Sequence, residues 1–170
     1  MRLSTTREDH RIAWLAALAI AIHVLEAALP SPIPGVKPGL ANVITVLALL
    51  MYGWRVALWV SLLRVLAGSL LIGSFLSPSF LLSLSGALTS LAALGIAHAL
   101  AGPRLSALGL CVLAAMAHMG GQFLVAYTLI IPHPGLLKLL PVLLTAALLF
   151  GLASGTIARM MYPHHPAAAP

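Results

Sequence analysis

From residue 12 to residue 160 the chain is a succession of apolar runs, at 12–29, 39–52, 56–75, 80–100, 105–131 and 136–160, parted by short breaks rich in proline, glycine and charge. A helix needs about 20 apolar residues to cross a hydrocarbon core roughly 30 Å thick, and most of the runs have that length. They predict an all-α integral membrane protein, a six-transmembrane-helix bundle. The composition asks for the same solvent, since 61% of the residues are hydrophobic and 7% are charged, outside the range of a soluble domain. In 170 residues there is room for one bundle and for no separate soluble domain. The expected division is a cytoplasmic tail over 1–11, a membrane domain over 12–160 and a disordered tail over 161–170.

The second run is short and the fifth is long. Fusing the second to the third would make one helix of roughly 35 residues, about 50 Å long. Gly53, Trp54 and Arg55 supply a turn residue, an interfacial aromatic and a charge at the join, so a helical hairpin is expected there. The first run holds His23 and Glu26 and leads into PSPIPGVKPGLAN (30–42) without a small-residue cleavage site. It reads as a retained helix and not as a signal peptide.

Orientation follows from the loop cations, because Lys and Arg are held on the cytoplasmic side. With both termini inside, Arg2, Arg7, Arg11, Arg55, Arg104 and Arg159 are cytoplasmic, and Lys37 and Lys138 are outside. The expected arrangement is therefore N-in, C-in, as a multi-pass protein of the bacterial inner (cytoplasmic) membrane. The formal charge of +6 is scattered singly at run ends and not gathered into a patch, so it reads as a topology signal and not as a nucleic-acid surface. Cys111 is the sole cysteine and reads as core packing, and His164 with His165 in the proline and alanine tail is not a metal site. Neither a metal nor a cofactor is expected.

Under that orientation the polar residues within the runs share the outer half of the membrane. Glu26 and His23 come from the first run, Asn42 from the second, Ser83 and Ser85 from the fourth, and His118 and Gln122 from the fifth. Arg64 sits near the midplane, where a charge costs about 2.5–3.5 kcal/mol on insertion scales and needs a partner or a wet cavity. His118 and Gln122 are four residues apart on one helical face, beside Gly121, and His23 and Glu26 are three apart. These residues, with Lys37 at the rim, are the expected substrate-binding set: Glu26, Lys37, Asn42, Arg64, Ser83, His118 and Gln122. Each also has a purely structural reading. Arg64 pairs with Glu26; His118 and Gln122 join helices; Lys37 is a solvated loop charge; Asn42 caps the second helix; the serines, Ser90 among them, bond their own helix backbone. Ala13, Ala17 and Ala21 form a small-residue stripe that permits close helix contact.

The stretch LEAALPSPIPGVKPGLAN, followed by SLSGALTSL and AHMGGQFLVA, resembles the membrane protein family labelled heptaprenyl diphosphate synthase component I, also called the Gx transporter family. The likeness covers nearly all of residues 25–158, and GVKPGLAN is its most specific block. The matching positions include Glu26, Lys37 and Asn42, then Arg64, Ser83, Gly86 and Ser90, then His118, Gly121 and Gln122. That family is in turn similar to the S components of energy-coupling factor transporters, six-helix membrane proteins with an outward-facing pocket. The resemblance implies a small-molecule solute as partner. It also implies a membrane coupling subunit with ATPases that docks on an alanine stripe such as Ala13, Ala17 and Ala21.

The two family labels point in different directions, and the residues bear on the choice. Prenyl chain elongation needs aspartate-rich clusters to hold magnesium on a diphosphate. This chain has one aspartate, Asp9, and no phosphate-binding glycine loop. The leading expectation is thus a membrane solute-binding and uptake subunit with an outward pocket for a small, anionic, vitamin- or cofactor-like solute. The alternative is a non-catalytic membrane accessory component of polyprenyl diphosphate or quinone metabolism. Cysteines placed at Ser31 and Ser106 should label from opposite sides of the membrane, the former from outside only, and labelling of both from one face would contradict the N-in, C-in arrangement.

Overall fold

The computed structural model describes residues 6–28, 40–101 and 105–162. The expectations for Arg2, Lys37 and Arg104, for most of the proline stretch, and for His164 and His165 lie outside the described residues. Within them the chain is all-helical: α1 (Arg7–Ala27), α2 (Asn42–Tyr52), α3 (Trp54–Ile72), α4 (Pro78–Ala101), α5 (Ala107–Val125) and α6 (Leu140–Met161). A π-helical turn (Ala126–Ile130) prolongs α5, and a 3-10 turn (Pro134–Leu139) leads into α6, so the fifth run's excess length goes into irregular helix. Five of the helical segments are long and apolar enough to cross a membrane.

Helix α2 is the exception. Its 11 residues rise about 16 Å, half a hydrocarbon core, and Asn42 to Leu49 are buried without a break. A helix apolar all round belongs in an interior, and α2 is surrounded by α1, α3, α5 and α6. Gly53 ends it, with a φ of 87° that favours glycine, and α3 starts at the next residue. The hydrogen bond from Arg64 to Asn42, each eleven residues from Gly53, closes α2 and α3 into the expected hairpin.

Cross-helix contacts fix the remaining directions. Glu8 pairs with Arg55 at 3.6 Å and the His23 ring lies on Gly68, so α1 and α3 run parallel. Arg11 stacks over Tyr52, which puts the start of α1 beside the end of α2. Trp54 lies on Gly95, Gly86 on His118 and Gly155 on Leu108, so α3, α4, α5 and α6 alternate in direction. One end of the bundle therefore carries Arg7, Arg11, Arg55 and Arg159, and the opposite end carries Lys138. Helix α1 starts at Arg7, inside the stretch read as tail, because Thr6 and Asp9 form a capping box: Thr6 N–H donates to Asp9 at 2.7 Å and Asp9 N–H to the Thr6 hydroxyl at 3.2 Å.

Helices α5 and α6 meet through glycine. A methyl group at Gly155 would lie 2.8 Å from the Leu108 Cα, and one at Gly151 would lie 3.0 Å from the Val112 Cα. Backbone cannot yield as a side-chain tip does, and such overpacking costs about 1–3 kcal/mol. Gly155→Ala should lower the melting temperature in detergent, whereas Gly120→Ala, which meets nothing within 4 Å, should leave it within error of the parent.

Candidate functional site

The inward stripe of each of the first five helices changes character along its length. On α1 it reads Ala16, Ala19, His23, Glu26; on α3, Ala57, Ser61, Arg64, Gly68; on α5, Cys111, Ala114, His118, Gln122. The antiparallel helices read the other way, with Asn42, Thr45, Leu49 on α2 and Ser83, Gly86, Ser90, Leu94 on α4. With the alternating directions, every polar segment falls at the end of the bundle opposite the arginines, or just below it. The apolar segments join into a core of Val46, Leu47, Val60, Leu94 and Cys111 at the other end. Helix α6 offers only small and apolar residues and Ser154 to the interior.

Glu26 sets the geometry of this region. Its carboxylate accepts the backbone N–H of Leu40 and, at 3.5 Å, that of Ala41. These amides lead into α2, whose N-cap residue, Ala41, has no side chain able to bond them. A carboxylate from a different helix thus anchors the two residues just before α2, beside the positive end of the helix dipole. Asn42 does not serve as the cap and bonds elsewhere, its Oδ1 accepting from Arg64 Nη2 at 3.2 Å. Arg64 is 1% exposed, and the Glu26 carboxylate is near enough to attract it. At the opposite end of the bundle Glu8 pairs with Arg55 on the periphery.

The second polar group lies between α4 and α5. The Gln122 amide donates to His118 Nε2 at 2.6 Å, within one helix, so this bond does not join helices. The His118 ring rests on Gly86, where an added methyl group would lie 2.7 Å from it, just as His23 rests on Gly68 at the same spacing. Gly121 faces Thr89, whose hydroxyl donates across the interface to the Ala117 carbonyl at 2.8 Å. Ser83 is buried on the face of α4 that carries Gly86.

Glu26, Asn42 and Arg64 are therefore brought together, His118 and Gln122 form a neighbouring pair at the same end, and Ser83 lies on that side of α4. Lys37 is outside the described residues. Ala13, Ala17 and Ala21 are exposed on the face of α1 turned away from the bundle. Four buried polar residues escaped the sequence reading, Thr45, Ser61, Ser69 and Ser154, and the first two lie beside the residues it singled out. The available signal was spacing, since Thr45 follows Asn42 by three and Ser61 precedes Arg64 by three, one helical turn each.

The family model described as heptaprenyl diphosphate synthase component I matches residues 15–161. The chain belongs to this family. The match begins within α1, runs through the end of α6 and includes every residue of the polar end. No curated protein and no solved structure matches the chain.

The capping geometry has a direct test. Glu26→Ala leaves two amides in a buried setting without their acceptor, a loss of about 1–3 kcal/mol. Glu26→Gln retains a carbonyl oxygen at the same place. Thermal unfolding in detergent should show a clear drop for the alanine variant and recovery of most of it by glutamine.

Proposed function

We propose that this member of the heptaprenyl diphosphate synthase component I family is a membrane solute-binding and uptake subunit of the S-component type. Its solute is small and anionic, of vitamin or cofactor kind, and binds at the polar end of the bundle. The observation that carries the reading is Arg64. A guanidinium 1% exposed is held by one neutral oxygen of Asn42, while the nearest carboxylate is engaged by the amides before α2. A buried cation of this kind needs further acceptors, and an anionic group of a solute supplies them.

The distribution of charge supports the outward orientation. Arg7, Arg11, Arg55 and Arg159 gather at the end opposite the polar residues, so the positive-inside rule turns the polar end outward, away from the cytoplasm of a bacterial inner membrane. The exposed face of α1 with Ala13, Ala17 and Ala21 suits close approach by a membrane coupling subunit that brings its own ATPases.

The family description favours a second reading, a non-catalytic accessory component of polyprenyl diphosphate or quinone metabolism. Direct catalysis of prenyl transfer fits poorly, because the single aspartate, Asp9, is engaged in the cap of α1 and cannot contribute to a magnesium-holding cluster.

Mass spectrometry of small molecules retained by the purified protein separates the readings, a water-soluble anion favouring uptake and a polyprenyl lipid favouring the accessory role. Arg64→Met keeps the side-chain volume without the charge and should fold with some loss of stability, because the buried Glu26 carboxylate loses its neighbouring cation. It should also lose the retained anion by at least tenfold, and a folded Arg64→Met that retains the anion in full would count against the proposal.

A further inference from the structure

Most helical hydroxyls in this bundle bond their own backbone. Ser69, Ser85, Thr89, Thr145 and Thr156 each lie 2.8–2.9 Å from a carbonyl three or four residues back, the usual resting place for a hydroxyl in a membrane helix. Thr45, Ser61 and Ser90 do not. Each is 1% exposed, and none has a hydrogen-bond partner among the described residues. Their oxygens are buried among the helices with no bond to their own backbone.

The three lie at one level. In the α2–α3 hairpin the bond from Arg64 to Asn42 sets the register, and three residues further toward Gly53 on both helices come Thr45 and Ser61, at the same level. The contact of Trp54 with Gly95 sets the register of α3 against α4. From it, Ser61 lies about 10 Å along α3 and Ser90 about 8 Å along α4, at 1.5 Å per residue. This layer is one turn below Arg64 and Asn42, just above the apolar core of Val60, Leu94 and Ala114.

Two further polar atoms lack a partner among the described residues, Arg64 Nε and Asn42 Nδ2. Both can only donate. A hydroxyl can donate or accept, so the three hydroxyls can all act as donors beside the guanidinium and the amide. A group that only accepts, with several oxygens, can take all five donors together.

We propose that Thr45, Ser61 and Ser90, with Arg64 Nε and Asn42 Nδ2, form a buried subsite for the oxyanion group of a solute, a carboxylate or a phosphate. The subsite rests on the anion-binding reading given above and fixes which end of the solute enters first: the charged group goes deepest and the rest remains beside His118, Gln122 and Glu26. Because the hydroxyls are held without partners until that group arrives, the subsite lowers the stability of the empty protein in exchange for recognition.

The test uses the full chain in detergent, with thermal stability and equilibrium binding measured in sodium phosphate and in sodium acetate against sodium chloride at matched ionic strength. The variant Thr45→Val/Ser61→Ala/Ser90→Ala removes the hydroxyls at nearly constant volume. In chloride it should melt at the same temperature as the parent or higher, since a buried unsatisfied hydroxyl is destabilising. It should bind the anion at least about tenfold more weakly, with Ser61→Ala alone producing part of that loss. A response to phosphate alone assigns the subsite to a phosphoryl group, and a response to acetate assigns it to a carboxylate. A triple variant that is less stable than the parent in chloride, or that fails to fold, overturns the subsite, because the hydroxyls then hold structure. Parental affinity in the triple variant together with lost binding in Arg64→Met overturns the subsite and leaves the solute-binding reading intact. If the parent binds neither anion, both fall.

Discussion

A helix that begins inside a membrane protein presents backbone amides where no water is at hand, and here the acceptor is the Glu26 carboxylate. That bond fixes the end of α1 against the start of α2 and ties down a helix too short to cross a bilayer by itself. Asn42 is thereby released from capping and becomes the partner of Arg64. Remove the cap and the order of dependence is clear: α2 loses its anchor, Asn42 its position, and Arg64 its one neutral acceptor.

The bundle is consequently divided along its axis. Each of the inward stripes on α1 to α5 passes from small and apolar residues to polar ones, and the alternation of helix direction gathers the polar segments toward one end. The apolar half includes Val46, Leu47, Val60, Leu94 and Cys111 and supplies packing. The polar half holds an arginine, a carboxylate, two imidazoles and several hydroxyls in place of some of that packing. Such a division has a physical cost, because buried polar groups without full satisfaction lower stability.

Much of this was legible in the sequence, and the reasons for the rest are physical. Run length alone marked the five long helices, and Gly53 marked the corner between α2 and α3. Arg64, Glu26 and Asn42 stood out because charged or amide side chains in apolar runs need partners. The partners themselves were not legible: Arg64 bonds Asn42 with the Glu26 carboxylate near enough to attract it, and the amides before α2 bond that carboxylate, none of which spacing shows. Nor could Thr45 and Ser61 be told from hydroxyls that bond their own helix, because the difference lies in rotamer and not in sequence. Helix α1 begins at Arg7, ahead of the apolar run that starts at residue 12, because Thr6 and Asp9 form a local cap.

The two imidazoles seated on glycines bear on how the molecule can change shape. His23 fills the space over Gly68 and His118 the space over Gly86, each where even a methyl group would collide with the ring. A ring pressed flat against a neighbouring backbone acts as a key in a slot: α1 cannot slide past α3, nor α5 past α4, without the ring first being withdrawn. Motion is then easiest between the two keyed pairs and not within them. The boundary between those pairs runs beside α2 and through the α3–α4 contact, and the short central helix touches both sides of it.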